Sequence, residues 1–424
     1  MRKLQLTSAY SIALLALFSL LSGCVKDTCR YSYTYTWFEP LYKTNEAVRA
    51  NIKSNPAKDI QQPGKMVLMG HYIFLNELDK GIHVLDNSNP SSPKNIRFID
   101  IPGNVDLAIK GNTLYADLYT DLVVLDISDP LNVVKKSIIS GVFPQRYYGA
   151  AYLSADSAEI IYDWKRHDTT IMENCRDLRT IIPGGVLYFA SASTSVQNGS
   201  SMSNPVGITG SMSRFAIVNN HLYAVDDENL NVFDISTPGN PVYDGQSMVD
   251  YHVETIYPFK DKLFIGSNNG TFIYDVSSSP ASPAKAGEFT HARQCDPVIA
   301  DDEYAYITLH SGTTCLGYDN QLDIVKLNNL TDASLVKTYP LTSPQGLSKD
   351  GSLLFICDGT DGLKVYDASD VQNLKLLKQF GNMETYDVIT WNNVAIVIAQ
   401  DGLYEYSYSD PNNIHLLGKI NIAN

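Results

Sequence analysis

The chain has 424 residues, with 32 Lys plus Arg against 46 Asp plus Glu, so its formal net charge is −14. Apolar residues make up 44% and charged residues only 18%, which excludes a disordered chain. Only one long apolar run is present, which excludes a polytopic helical membrane protein. The acidic balance leaves little to neutralise phosphates and argues against a nucleic-acid partner.

Met1-Arg2-Lys3 is basic, Ile12 to Leu21 is apolar, and Leu21-Ser22-Gly23-Cys24 follows. The basic start and short apolar core have the shape of a secretory signal. The ending resembles a bacterial lipobox, in which small residues precede a Cys that is lipidated and becomes the first residue of the mature chain. Residues 1–23 are therefore expected to be a lipoprotein signal peptide, and Cys24 to carry a lipid that holds the protein at a membrane. Val25-Lys26-Asp27 has no Asp directly after the Cys, which fits outer-membrane sorting by resemblance to Gram-negative lipoproteins. The Lys-acid pair loosely resembles the surface-export signal of Bacteroidetes lipoproteins. Residues 24–64 read as a tether. Within it, Tyr31 to Phe38 alternates aromatic and hydroxyl side chains, as in a docking edge strand or an aromatic platform for glycans. Asn45 to Lys53 reads as one short helix.

The rest of the chain, 65–424, is a repeat. An apolar strand ending in Asp returns at Ile82–Asp86, Leu122–Asp126, Leu230–Asp234, Thr271–Asp275 and Leu363–Asp367, with degenerate copies ending at Lys326 and Ser407. Successive anchors lie 40 or 41 residues apart, except for one interval of 51 and one of 108. Val186-Leu187-Tyr188-Phe189 fits the phrase inside the longest interval and brings the copies to eight. A second β-rich run precedes each anchor, such as Tyr72–Leu75 and Thr113–Ala116, often behind a turn pair such as Gly111-Asn112. With an apolar run before that turn and a shorter run after the anchor, each unit holds four short strands. Four strands in about 40 residues is the pattern of a propeller blade. The expected fold is all-β: a single β-propeller of eight four-stranded blades, with seven as the alternative.

The phrases Leu122-Val123-Val124-Leu125-Asp126-Ile127-Ser128-Asp129-Pro130 and Leu230-Asn231-Val232-Phe233-Asp234-Ile235-Ser236-Thr237-Pro238 resemble LVIVD repeats. With the lipobox, the layout is similar to that of Bacteroidetes LVIVD-repeat lipoproteins. The resemblance implies a propeller on a cell surface, without an established enzymatic activity and without a ligand.

Six Cys are present, and export permits disulfides. Cys295 and Cys315 flank the strand Tyr304 to Leu309 of one repeat and are expected to pair, tying down the loop 312–320; two separate thiols are the alternative. Cys29 and Cys175 form a second possible pair, and Cys357 reads as a small core residue. The anchor Asp residues read as turn caps rather than metal or catalytic groups. Asp226-Asp227-Glu228 and Asp301-Asp302-Glu303 read as solvated turns, because no calcium-binding loop frames them.

His291, Arg293 and Asp296 form the densest functional-looking segment. They suit an anionic ligand or acid–base work, or a structural ion pair at a blade junction. His167, His252 and His310 stand alone, and no nucleophile elbow, phosphate loop, metal motif or cofactor motif is present. The expected function is a non-enzymatic binding or scaffold lipoprotein of the outer membrane, with a protein or glycan partner. A polysaccharide hydrolase or lyase using His167, Arg293 and Asp296, and a structural or adhesion role, are the alternatives.

Overall fold

The structure, a computed structural model, describes residues 30–143, 145–148, 151–154, 159–174, 205–290, 297–311, 319–328 and 333–423. Seven antiparallel sheets of four consecutive strands dominate it. Blade I consists of Pro63–Met69, Tyr72–Glu77, Gly81–Asp86 and Lys94–Asp100, from the inside outwards. Blades II to VII follow at 107–139, 215–248, 253–290, 298–340, 347–380 and 385–421. Inner strands pack on inner strands from blade I through to blade VII, as expected of a β-propeller. We call the side on which inner strands begin face A, and the opposite side face B.

Strand position explains the sequence pattern. The second and third strands are covered on both faces, so Tyr72–Glu77 and Asp121–Asp126 are almost wholly buried and read as continuous apolar runs. The outermost strands are half solvated, and Lys375–Phe380 and Val134–Ile139 are correspondingly polar. Cys357 lies fully buried in the second strand of blade VI with a free thiol, which burial pushes well above its usual pKa.

The repeat phrase maps onto the third strand. Its Asp accepts a hydrogen bond from the backbone N–H two residues on: Asp86 from Ser88 (2.9 Å), Asp126 from Ser128 (2.9 Å), Asp234 from Ser236 (2.7 Å), Asp275 from Ser277 (2.7 Å) and Asp367 from Ser369 (3.0 Å). The anchors are turn caps, as their chemistry suggested. The clusters at Asp226 and Asp301 behave likewise, Asp226 accepting from Glu228 and Asn229 and Asp301 from Glu303 and Tyr304. In all seven blades the outer pair of strands carries a bulge at the same place, beside the residue two before the anchor. That shared irregularity shows the degenerate copies ending at Lys326 and Ser407 to be true blades.

The blade count is seven, not eight. Blade II packs directly on blade III: Ala108, Tyr115, Leu122 and Val124 share one core cluster with Phe215, Leu222, Ala224 and Ile235. That contact leaves no slot for a further blade between them. The segment Val186–Phe189, read as the extra copy, lies outside the described residues. The short helix is Asn45–Ala50, capped by Thr44 Oγ1, which accepts from Ala47 N at 3.2 Å. It ends before Lys53, which instead opens the strand Lys53–Pro56, added to the outer edge of blade I.

Tyrosine hydroxyls pin blade to blade. Tyr115 donates to Pro238 O (3.0 Å), Tyr223 to Pro280 O (2.9 Å), Tyr339 to Val371 O (2.9 Å) and Tyr408 to Asp350 Oδ2 (2.7 Å). Each ring fills an interface while its tip satisfies a group on the neighbour. Tyr115→Phe and Tyr223→Phe are each expected to cost about 1 kcal/mol, and the double variant close to the sum. Urea unfolding midpoints at constant slope check this.

The last interface closes the ring. No strand is shared between blades VII and I. Met66, Leu68, Ile73 and Leu75 pack on Ile389, Ile396, Ile398 and Leu403 instead, and Ala423 N donates to Ile60 O at 2.8 Å. At the other six interfaces the residue two before one anchor meets the residue after the next anchor: Val84 with Ile127, Val124 with Ile235, Val232 with Val276, Ile273 with Leu327, Ile324 with Ala368, Val365 with Tyr408. At the seam these positions hold Glu405 and Asn87. Burial raises the pKa of Glu405 to about 7, offset only in part by the Asn87 side chain. Neither Glu405 oxygen has a well-formed hydrogen bond.

A carboxyl protonated in the folded state and ionised in the unfolded one favours unfolding as pH rises. The stability it contributes is full below pH about 4.5 and lost as pH rises through about 7, a swing of about 3 kcal/mol. Glu405→Gln is expected to flatten that slope and to be more stable than the parent chain at pH 8, as read by unfolding across the range.

Candidate functional site

The register aligns one position on every inner strand. The residue paired with the fourth residue of the second strand is Met66, Leu107, Phe215, Ile256, Val298, Leu347 or Val388 in blades I to VII. The residues just before them are Lys65, Asp106, Arg214, Thr255, Pro297, Gly346 and Asp387. The ring axis is thus charged along one arc, blades VII, I, II and III, with signs that alternate, and uncharged on the other three blades.

The arc is buried. Lys65 Nζ lies 3.5 Å from Asp106 Oδ2, with both side chains almost fully covered. Asp106 also accepts from Leu107 N (2.7 Å), from Ser213 Oγ (3.2 Å) and from Arg214 N. Behind it, Asp117 Oδ1 accepts from Val105 N (2.8 Å), Asp106 N (2.9 Å) and Asn104 Nδ2 (2.8 Å). Burial pushes Lys65 down and Asp106 up, each opposed by the other's charge.

Asp387 is different. It is fully buried, and neither oxygen hydrogen-bonds to another side chain. Burial pushes its pKa well up against the Val388 N–H and Lys65. Its Oδ1 occupies the space that a Cβ on Gly346 would need, so blade VI must carry glycine there. The Nε of half-buried Arg214 is likewise buried without a partner.

The chain plugs its own channel. It leaves blade II on face A, where Phe143 N donates to Thr120 O at 2.9 Å. Beyond residues 175–204 it is described again on face B, where Pro205 O accepts from Gly111 N at 2.6 Å. From there the segment 205–213 runs back to face A along the axis. Gly207 N donates to Ile109 O of blade II (2.7 Å), and Ile208 and Thr209 pair with Leu68 and Val67 of blade I. Ser211 Oγ accepts from Leu347 N of blade VI (2.9 Å), and Ser213 O from Ile256 N of blade IV (2.7 Å). A Cβ on Gly207 would stand 2.5 Å from Val67 Cγ1, so only glycine lets the plug lie this close to the wall.

The residues singled out from sequence fall as follows. His291, Arg293, Asp296, Cys295, Cys315, Cys24, Cys29 and Cys175 lie outside the described residues. His167 sits in the two-stranded ribbon of Arg30–Thr44 with Glu159–Asn174. Its ring stacks on Trp37 at 4.4 Å and its Nε2 lies 2.7 Å from Glu39. Thr36 donates to Asp168 (2.6 Å) and Trp37 Nε1 to Thr169 (2.9 Å), so the aromatic segment is strand-paired. His252 is exposed beside Asp227 at 3.5 Å. His310 is buried, and burial lowers its pKa to about 4, so it is neutral at physiological pH. Among the described residues no His, Cys, Asp and Glu side chains cluster as a metal site. The axial arc was missed because its members are far apart in sequence. The signal was a charged residue directly before an apolar inner run, visible only once the repeats are aligned strand by strand.

Three segments, 62–97, 103–139 and 209–249, match the LVIVD repeat family. They are blades I, II and III. No curated protein matches the chain in sequence. Among solved structures, a protein from Lactobacillus plantarum aligns with a TM-score of 0.52 at 11% identity, covering 85% of this chain and 97% of that one. The periplasmic gluconolactonase of Pseudomonas aeruginosa aligns at 0.51 and 12% identity, covering 85% and 96%. At such identity these likenesses show the propeller fold alone.

Two carboxylates of the arc should answer differently to the same change. Asp387→Asn is expected to leave stability at pH 7 unchanged or higher, since burial disfavours the charged form of that group and neither oxygen bonds another side chain. Asp106→Asn is expected to cost about 3 kcal/mol or more, because Lys65 then loses its buried partner. Chemical denaturation of both variants checks the contrast. The chain carries LVIVD repeats and folds as a seven-bladed β-propeller.

Proposed function

We propose that this protein is a lipid-anchored envelope propeller that acts as a non-enzymatic binding or scaffold module for a protein or glycan partner. One observation carries the reading: the longest departures from the common loop lengths set out from described strand ends on face A. The chain leaves blade II there at Phe143, and the strand ends Thr290 and Val298, between which His291, Arg293 and Asp296 fall in sequence, lie there too. So do the strand ends Leu309 and Gln321. Variable loops on a rigid scaffold are where recognition is usually built. The plug fills the axis with backbone, which favours a partner that lies across face A over one that passes through the ring.

The anchor is part of the same proposal and rests on the lipobox at Leu21–Cys24. Radiolabelled palmitate should enter the parent chain and not the Cys24→Ala variant, which should leave the membrane fraction. For the partner, lipidated protein is captured from its native membrane and the bound proteins identified, with a glycan array in parallel. A specific partner or glycan is expected. Replacing 291–296 or 312–318 with Gly-Ser should weaken its capture about tenfold at unchanged melting temperature. Retention unaffected by both replacements would sink the assignment to face A.

A further inference from the structure

The seam between blades VII and I opens on face B as a cleft of about 250 Å3. That is the space of roughly eight water molecules and just below the usual range for small-ligand pockets. His71, Tyr72 and Trp391 form its walls, and Asn87, Ser88 and Asn392 supply amide and hydroxyl groups. Leu68, Ile73, Val394 and Ile396 complete an apolar lining. The rings of His71 and Tyr72 lie 4.1 Å apart.

The cleft coincides with the one interface at which the repeat rule is broken on both sides. Asn87 stands where the sister blades place Ile127, Ile235, Val276, Leu327, Ala368 and Tyr408. Glu405 stands where they place Val or Ile, and it is fully buried, cross-strand from the cleft residue Ile396. The Oδ1 of Asn87 and both oxygens of Glu405 are buried without a well-formed hydrogen bond. Two polar side chains that replace apolar ones at a single interface, and satisfy one another only in part, are costly to keep for packing alone. Local rules are broken in this way where a ligand supplies the missing partner.

We propose that the seam cleft is a binding site for one polyhydroxylated ring, a monosaccharide or the terminal sugar of a glycan. The aromatic walls take the apolar face of the ring, and its hydroxyls exchange hydrogen bonds with Asn87, Ser88 and Asn392 of the lining. A ring-sized ligand fits the volume, and a neutral one suits a site without a lysine or arginine in its lining. The site lies on the face opposite that of the preceding reading, so it holds or fails independently.

The test follows the indole N–H signals of the 15N-labelled full chain, which has three Trp. Trp391 is assigned with Trp391→Phe. Glucose, galactose, mannose and N-acetylglucosamine are titrated separately, with glycerol as a control. At least one sugar should shift the Trp391 signal saturably, with glycerol inert. The double variant Asn87→Ile, Glu405→Val rebuilds the pair found at a sister interface and is expected to fold. It should bind that sugar at least about tenfold more weakly. If it does not fold, Tyr72→Ala should show the same loss. The proposal is overturned by an unmoved Trp391 signal with every sugar, by a glycerol shift of equal size, or by full affinity in the folded variants. A sugar that shifts other signals and leaves Trp391 unmoved would also overturn it, while supporting glycan binding elsewhere.

Discussion

Ring closure is the constraint on which the rest depends. A four-stranded blade cannot cover both of its faces, so each needs two neighbours, and the first needs the last. Every blade here is contiguous in sequence, so no strand from one terminus completes a sheet begun at the other. Closure therefore rests on side chains such as Met66 and Leu75 against Ile396 and Leu403, helped by one backbone hydrogen bond from Ala423 to Ile60. The free-energy cost of bringing the ends together falls on this contact. It is notable that the same contact holds the buried Glu405 and Asn87.

The remaining interfaces repeat two inexpensive devices. An Asp after the third strand ties off the outward turn, which sets the direction of the fourth strand. A Tyr on one blade reaches a carbonyl or carboxylate of the next, so that a large ring is buried without stranding its hydroxyl. Both devices draw on the acidic and tyrosine residues in which the sequence is rich.

At the axis a different solution applies. Seven inner strands surround a central channel. The chain fills it with the segment 205–213 and with the alternating charges of Asp387, Lys65, Asp106 and Arg214. Opposite charges in alternation offset one another in a low-dielectric site, and burial pushes the Asp387 carboxyl well above its usual range against the Val388 N–H and Lys65. The plug also separates the two faces, with the buried charged arc inside the ring and the aromatic cleft opening on face B.

Much of this was legible in the sequence. The period, the strand phrase, the turn-capping Asp and the core position of Cys357 are local properties, set by hydrophobic run length and by the reach of a carboxylate to a backbone N–H two residues away. They determined the fold class and most strand positions. The number of blades was not local. A phrase at 186–189 looks like a copy, yet the count depends on whether blade II touches blade III, which is a matter of packing. The pairing of Glu405 with Asn87, the axial arc and the threading of the channel each join residues tens to hundreds of positions apart. Only closure of the ring brings them together, because sequence patterning fixes which face of a strand is buried, while the tertiary structure decides what lies against it.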